Sequence, residues 1–184
     1  MNKTKIPKQA KKVFDGVIYD VYQWEQELFD GSTTTFEIAK RADAVSIIPI
    51  IDDKLVILHE EQPHRGKTIG FPGGHIEQHD ESPLMAAKRE LQEETGMVFN
   101  SIKLVAIEDI GGAKLDWWIY RYIATNKERD GVQNPDPGER IKTELVEFKV
   151  AQKLAKNNVY MSHSIMNRVG SIDDLLALPE VSLN

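Results

Sequence analysis

The chain has 184 residues, of which 41% are hydrophobic and 28% charged, proportions usual for one compact globular domain. Its formal net charge of −6 argues against a general nucleic-acid binder, which carries a basic surface, but is compatible with a small phosphate-bearing ligand whose charge a cation neutralises locally. The lack of cysteine excludes disulfides, zinc–thiolate centres and thiol nucleophiles.

The first residues carry Lys3, Lys5, Lys8, Lys11 and Lys12 with no apolar run behind them, which predicts a solvated, frayed arm rather than a secretory signal. Val13 to Leu28 and Thr33 to Ala39 are strand-like, and Asp15-Gly16 and Asp30-Gly31 mark tight turns. Residues 1–40 therefore form a small β-rich section, too short to bury much surface alone, that must pack on the main domain (residues 41–184) or on a second subunit. Ala44 to Ile51 and Leu55 to His59 predict two buried strands joined at Asp52-Asp53-Lys54. The first of these, interrupted by Ser46 and Pro49, is far below the ~20 residues of a membrane span. A cytoplasmic protein with no membrane partner is expected. Glu60 to Lys67 is a polar connector, and Thr68 to Phe71 leads into a glycine turn.

Beyond that turn, Ser82 is placed to cap a helix, Pro83 sits where a missing N–H costs nothing, and Gly96 supplies a left-handed stop. Residues three and four apart share a helix face, so Glu90, Glu93 and Glu94 lie together beside Arg89, while Leu84, Ala87 and Leu91 form a separate apolar stripe. Three grouped carboxylates repel one another unless hard divalent cations sit among the oxygens; the alternative is a solvated acidic face. Met97 to Ile110 and Trp117 to Thr125 predict a further strand pair, Asn126 to Arg140 a long polar loop, and Leu145 to Val150 a last strand. Ala151 to Lys156 and Ile172 to Leu178 predict helices, the second capped by Ser171.

The stretch Arg89-Glu90-Leu91-Gln92-Glu93-Glu94-Thr95-Gly96-Met97 resembles the terminal block of the Nudix hydrolase signature, written as Gly, five residues, Glu, seven residues, then Arg-Glu-apolar-x-Glu-Glu-x-Gly-apolar. Seven residues separate Glu81 from Arg89 as that pattern asks, but six rather than five separate Gly74 from Glu81. The Phe71-Pro72-Gly73-Gly74 turn, Glu61-Gln62, the Asp-Gly hairpins and the acidic loop at Gly138-Glu139 are similar to the branch that cleaves ADP-ribose and other nucleoside-diphosphate sugars. His64 stands where that branch often has arginine, Gly70 where it often has an acid, and Ile110-Gly111-Gly112 where it commonly has proline.

The resemblance implies an α+β fold, a Nudix-type α/β/α sandwich with a mixed sheet, preceded by the β-rich section as a dimerisation element. It implies hydrolysis of a nucleoside-diphosphate derivative by water attack on phosphorus, with Mg²⁺, or Mn²⁺ in its place, as cofactor. By the same resemblance Glu90 and Glu94 are metal ligands, Glu93 a ligand or water-orienting group, and the backbone at Gly73 a further ligand. Glu81 is expected to pair with Arg89, and Glu139, with Glu144 in reserve, to act as general base. Arg65, His64 and Arg140 are candidate phosphate or ribose contacts. Trp117, Trp118 and Tyr120 could stack on a base but suit the core better, and His75 and His79 are expected to be exposed turn residues. A nucleotide or other small-diphosphate hydrolase, and a non-catalytic ligand-binding regulator, are the competing readings.

Overall fold

The computed structural model describes residues 4–156 and 158–183, so Lys3 of the lysine arm lies outside the described residues. Among the described residues, ten strands and four helices follow one another as β1 Lys11–Asp15, β2 Asp20–Glu27, β3 Thr33–Lys40, β4 Ala44–Ile51, β5 Lys54–Gln62, β6 Gly66–Gly70, α1 Pro83–Thr95, β7 Met97–Asp109, β8 Leu115–Asp116, β9 Trp118–Asp130, β10 Arg140–Glu147, α2 Phe148–Ala155, α3 His163–Met166 and α4 Ile172–Leu176, with a 3-10 turn at Val159–Met161 before α3. The main sheet is mixed, in the order β10-β5-β4-β9-β7, with β6 on β5. Helix α1 covers one face: Ala86, Ala87 and Leu91 are buried against Val45, Ile47, Tyr120, Tyr122 and Ala124. Helices α2 to α4 cover the other, where Ile48, Leu55, Ile57 and Ile123 meet Ala151, Ala155, Met166 and Leu175. This is the expected α/β/α sandwich. Burying one Leu91-sized side chain in such a layer is worth about 2 kcal/mol.

Strand β4 explains where an opening forms. It pairs with β5 only at Ile50↔Leu55 and Ile51↔Lys54, next to a turn in which Asp52 and Asp53 adopt φ of 48° and 58°. Beside the first half of β4, β5 diverges and its second half, from Leu58 to Gln62, pairs with β6, so the glycine turn takes that place: Val45 N–H donates to the Gly74 carbonyl at 2.9 Å and Ile47 N–H to that of Pro72 at 2.8 Å. The other edge of β4 runs parallel to β9.

Several expectations are corrected. The polar connector is a hairpin, because β5 runs to Gln62 and β6 starts at Gly66. The loop after β9 is shorter than predicted, since β9 reaches Asp130, pairing with Met97, and Arg140 already belongs to β10. Residues 148–150 are helical rather than extended, and the turn at 159–161 and α3 were not foreseen. The lysine arm is not frayed at its described start: Lys5 Nζ donates to the carbonyls of Gly112 and Leu115 at 2.6 and 2.9 Å, and Thr4 Oγ1 donates to Asp116 at 2.7 Å. The N-terminal sheet, ordered β1-β2-β3-β8, borrows β8 from the main domain, so the first forty residues are stitched to the rest. Among the described residues no helix is long and apolar enough to cross a membrane.

Candidate active site

Helix α1 begins and ends where the sequence placed it. The Ser82 side chain accepts the Met85 N–H, and Gly96 closes the helix at φ 70° with its N–H on the Gln92 carbonyl. Two further C-terminal carbonyls are taken by the loop that follows β9: Asn134 N–H donates to the Glu93 carbonyl at 2.9 Å and Gln133 Nε2 to that of Glu94 at 2.5 Å. That satisfies a helix end and anchors the loop carrying Glu139 over the last turn of α1.

The three carboxylates do not share one environment. Glu94 is 6% exposed and accepts the Gly73 N–H at 2.7 Å. The Glu90 side chain is 14% exposed and accepts Arg89 Nη1 at 2.9 Å. Glu93, at 38%, faces outward and is held by the same Arg89 nitrogen at 3.0 Å. Burial pushes the Glu90 carboxyl up to about 7 in spite of Arg89. Burial, with the nearby Glu90 charge second, pushes Glu94 well above the usual carboxylate range. No lysine, arginine or histidine among the described residues forms an ion pair with Glu94. The turn is shaped to this crowding: a Cβ on Gly74 would stand 2.6 Å from Glu90 Cδ, and one on Gly73 would strike the Val45 carbonyl and lie 2.9 Å from Ser46 Cα.

Glu139 enters from the loop. Gln62 Nε2 donates to it at 2.7 Å and also to Glu60, so one amide bridges two carboxylates. Burial, then the Glu60 and Asp136 charges, raise the Glu139 carboxyl, and its own charge in turn acts on Glu90 and Glu94. Arg65 lies on the same side, with Nη2 2.7 Å from Glu60 and its guanidinium 4.8 Å over the Tyr160 ring.

The other candidates scatter. Arg140 is 86% exposed and 3.9 Å from Glu61, and His64 lies exposed in the β5–β6 turn. Glu144 is taken up by His59 at 2.6 Å on the exposed side of β10. Tyr120 is core, Trp118 packs on that core with its Nε1 donating to Asp116, and Trp117 lies under the Arg41 guanidinium at 4.4 Å. His79 is exposed near Glu77, while His75 contacts Arg41. Glu81 is exposed and is not the partner of Arg89: that partner is Asp80, through Arg89 Nε at 3.1 Å and Nη2 at 2.9 Å. Asp80, Glu60, Gln62 and Tyr160 were missed. The alternation of a strand running to residue 62 would have put Glu60 and Gln62 on one face; Tyr160 left no local signal.

Two buried carboxylates raised by burial, joined by hard oxygen donors and lacking a cationic side chain for Glu94, fit a hard divalent cation. Among the described residues no three acidic or histidine side chains already stand as a finished metal cage. Glu90 and Glu94 are the residues that would hold the ion; of the expected backbone ligand at Gly73 the contact seen is its N–H on Glu94, and the neighbouring Pro72 and Gly74 carbonyls accept from β4.

Residues 40–165 match the NUDIX domain family. The chain is 32% identical over 88 residues to the ADP-ribose pyrophosphatase of Bacillus subtilis (strain 168), a stretch covering 47% of each protein. It is 40% identical to the ADP-sugar pyrophosphatase of Mus musculus across 36% of each, so the matched segment spans half or less of either relative. It is 24% identical over 162 residues to the methanol dehydrogenase activator of Bacillus methanolicus, covering 86% of this chain and 87% of that one. In shape it is similar to a crystal structure of ADP compounds hydrolase, with a TM-score of 0.71 at 21% identity over 88% of this chain and 90% of the other, a likeness of fold.

Proposed function

The chain belongs to the NUDIX family, and from that premise we propose that it is a Mg²⁺-dependent diphosphohydrolase that cleaves ADP-ribose or another nucleoside-diphosphate sugar into two phosphate monoesters. The observation that carries the reading is the pair of carboxylates Glu90 and Glu94, both raised by burial and Glu94 without a cationic partner among the described residues, set against a glycine turn in which a Cβ on Gly73 would meet the β4 backbone. The activities for which the two pyrophosphatases and the ADP compounds hydrolase are named support the substrate class.

When bound, a divalent cation, Mg²⁺ or Mn²⁺ in its place, would supply charge neutralisation at the diphosphate and would lower the pKa of a bound water. Glu90 and Glu94 would hold the ion, and Glu93, held beside Arg89, would orient the attacking water or add a ligand. Glu139 takes the proton from that water: its raised carboxyl and its position on the loop above the helix suit a general base. Arg65, kept in place by Glu60 and Tyr160, contacts the anionic part of the substrate. The enzyme acts in the cytoplasm on a small molecule, with neither nucleic acid nor membrane as partner. A regulatory module is the second reading, favoured by the activator aligned over most of the chain, but a module needs no carboxylate set of this kind.

Incubating the protein with a panel of nucleoside-diphosphate sugars, nucleotides and dinucleotides in Mg²⁺ or Mn²⁺ tests the proposal. ADP-ribose or a related sugar diphosphate should release monoesters fastest; a panel without turnover in either metal removes the enzyme reading.

Residues 1–40 are proposed as the dimer contact. Val13, Phe14, Val17, Ile18 and Phe29 are all exposed there, a concentration of apolar surface suited to a second copy. Light scattering at micromolar concentration should give a dimer mass, and a monodisperse monomer would exclude it.

A further inference from the structure

We infer that Asp80, rather than Glu81, is the residue that positions Arg89 and through it the carboxylates of α1, so that the extra residue of this chain's signature lies between Asp80 and the helix. The inference rests on the hydrolase reading for its consequence but not for its geometry.

Counting from Gly74, the acid that follows after five residues is Asp80. Its two oxygens receive Arg89 as a fork, Nε on Oδ1 at 3.1 Å and Nη2 on Oδ2 at 2.9 Å. Such bidentate pairs fix orientation as well as position. The Asp80 side chain is only 4% exposed, and Arg89 holds its carboxyl below the usual range. The turn fixes Asp80 in return: Glu77 N–H donates to Oδ2 at 2.9 Å, and Asp80 N–H to the Glu77 carbonyl at 3.1 Å. Arg89 Nη2 also donates to the His75 carbonyl at 2.9 Å, tying the guanidinium to the glycine turn. The remaining nitrogen, Nη1, is then directed at Glu90 and Glu93 together. Asp80 thus acts on the carboxylates only through Arg89.

The test compares Asp80→Ala and Asp80→Asn with Glu81→Ala and Glu81→Gln; the asparagine keeps an oxygen for the Glu77 N–H, so the turn survives even if the alanine variant unfolds. In metal-free protein the Arg89 Nε–H should exchange slowly with solvent in wild type and in both Glu81 variants, and quickly in Asp80→Ala. Mn²⁺ affinity without substrate should fall about 10- to 100-fold in Asp80→Asn, the usual cost of removing a group that orients a metal ligand, with kcat falling similarly and KM little changed. In an Arg89→Lys background, where the fork is already lost, Asp80→Asn should add little; a purely structural role would give additive losses. Loss of Nε–H protection or Mn²⁺ affinity in the Glu81 variants instead of the Asp80 variants overturns the inference. If the wild type hydrolyses nothing, the enzyme reading fails, while the exchange and metal measurements still decide the clamp.

Discussion

Replacing Glu94 with glutamine is expected to lower turnover by about a thousandfold or more, on the scale seen when a main electrostatic contact to a reacting oxyanion is removed, and to make the metal-free protein more stable. The two effects have one cause. Glu94 is buried against the Gly73 N–H, its charge opposed by burial and by Glu90, and no cationic side chain among the described residues pairs with it. A glutamine oxygen can keep the Gly73 bond without that charge. Each kcal/mol recovered raises Tm by about 2–4 °C in a protein of this size.

The sign of the pH dependence follows. Glu90 is raised from its ordinary 4.5 to about 7, and Glu94 is raised too, so the folded state binds protons more tightly than the unfolded chain. The contribution of these groups to metal-free stability is therefore full below about pH 4.5 and is lost as pH rises through about 7, with Glu90 alone accounting for about 3 kcal/mol. Melting curves of metal-free wild type between pH 5 and 8 should fall with pH, and those of Glu94→Gln should fall less. Mg²⁺ should restore wild-type stability most at the alkaline end, because its ligands bind deprotonated. Equal pH slopes in the two proteins would refute this account of Glu94.

The second large effect separates two adjacent glycines. Gly73→Ala should destabilise the fold by about 2–4 kcal/mol, because the new Cβ meets the Val45 carbonyl and the Ser46 Cα, backbone that β4 cannot move without breaking its ladder. Gly74→Ala should cost less than about 1 kcal/mol of stability, because the obstacle is the far end of the Glu90 side chain, which can swing aside. That swing displaces a metal ligand, and a misplacement of about 1 Å is worth about a hundredfold in rate. Denaturant unfolding paired with turnover should show Gly73→Ala failing first in stability and Gly74→Ala failing first in activity. The reverse order would mean that the turn serves packing and catalysis in some other division.

What was legible in the sequence was local. Ser82, Pro83 and Gly96 bound α1 by capping chemistry that acts within one turn, and the Glu90, Glu93 and Glu94 spacing needs only helical geometry. The Asp52-Asp53 turn and the buried runs on either side were readable for the same reason. The signals that failed depend on residues far apart in the chain. The turn at 159–161 and α3 are fixed by Phe71 N–H on the Tyr160 carbonyl, by Asn158 Nδ2 on the Ile69 carbonyl, and by Ser162 against Ser46 and the buried Arg121. None of these partners is within reach of a short window. Strands β5 and β9 run longer than predicted, and β6 was not predicted as a strand, because polar residues such as Glu60, Lys67 and Lys127 read as loop, although each sits opposite a partner strand. The Arg89 partner was misplaced by one residue because spacing was counted back from the helix. The turn, which holds Asp80, keeps the count from Gly74.

The carboxylates of α1 are proposed to serve metal-dependent attack of water on phosphorus. Hydrolysis of ADP-ribose in ¹⁸O-labelled water, with Mg²⁺ or with a chelator, tests it most directly when the products are weighed by mass spectrometry. The account predicts one ¹⁸O in the phosphate of one of the two monoesters when Mg²⁺ is present, and no turnover with the chelator. Label in a sugar hydroxyl rather than a phosphate, or undiminished turnover in chelator, would contradict it.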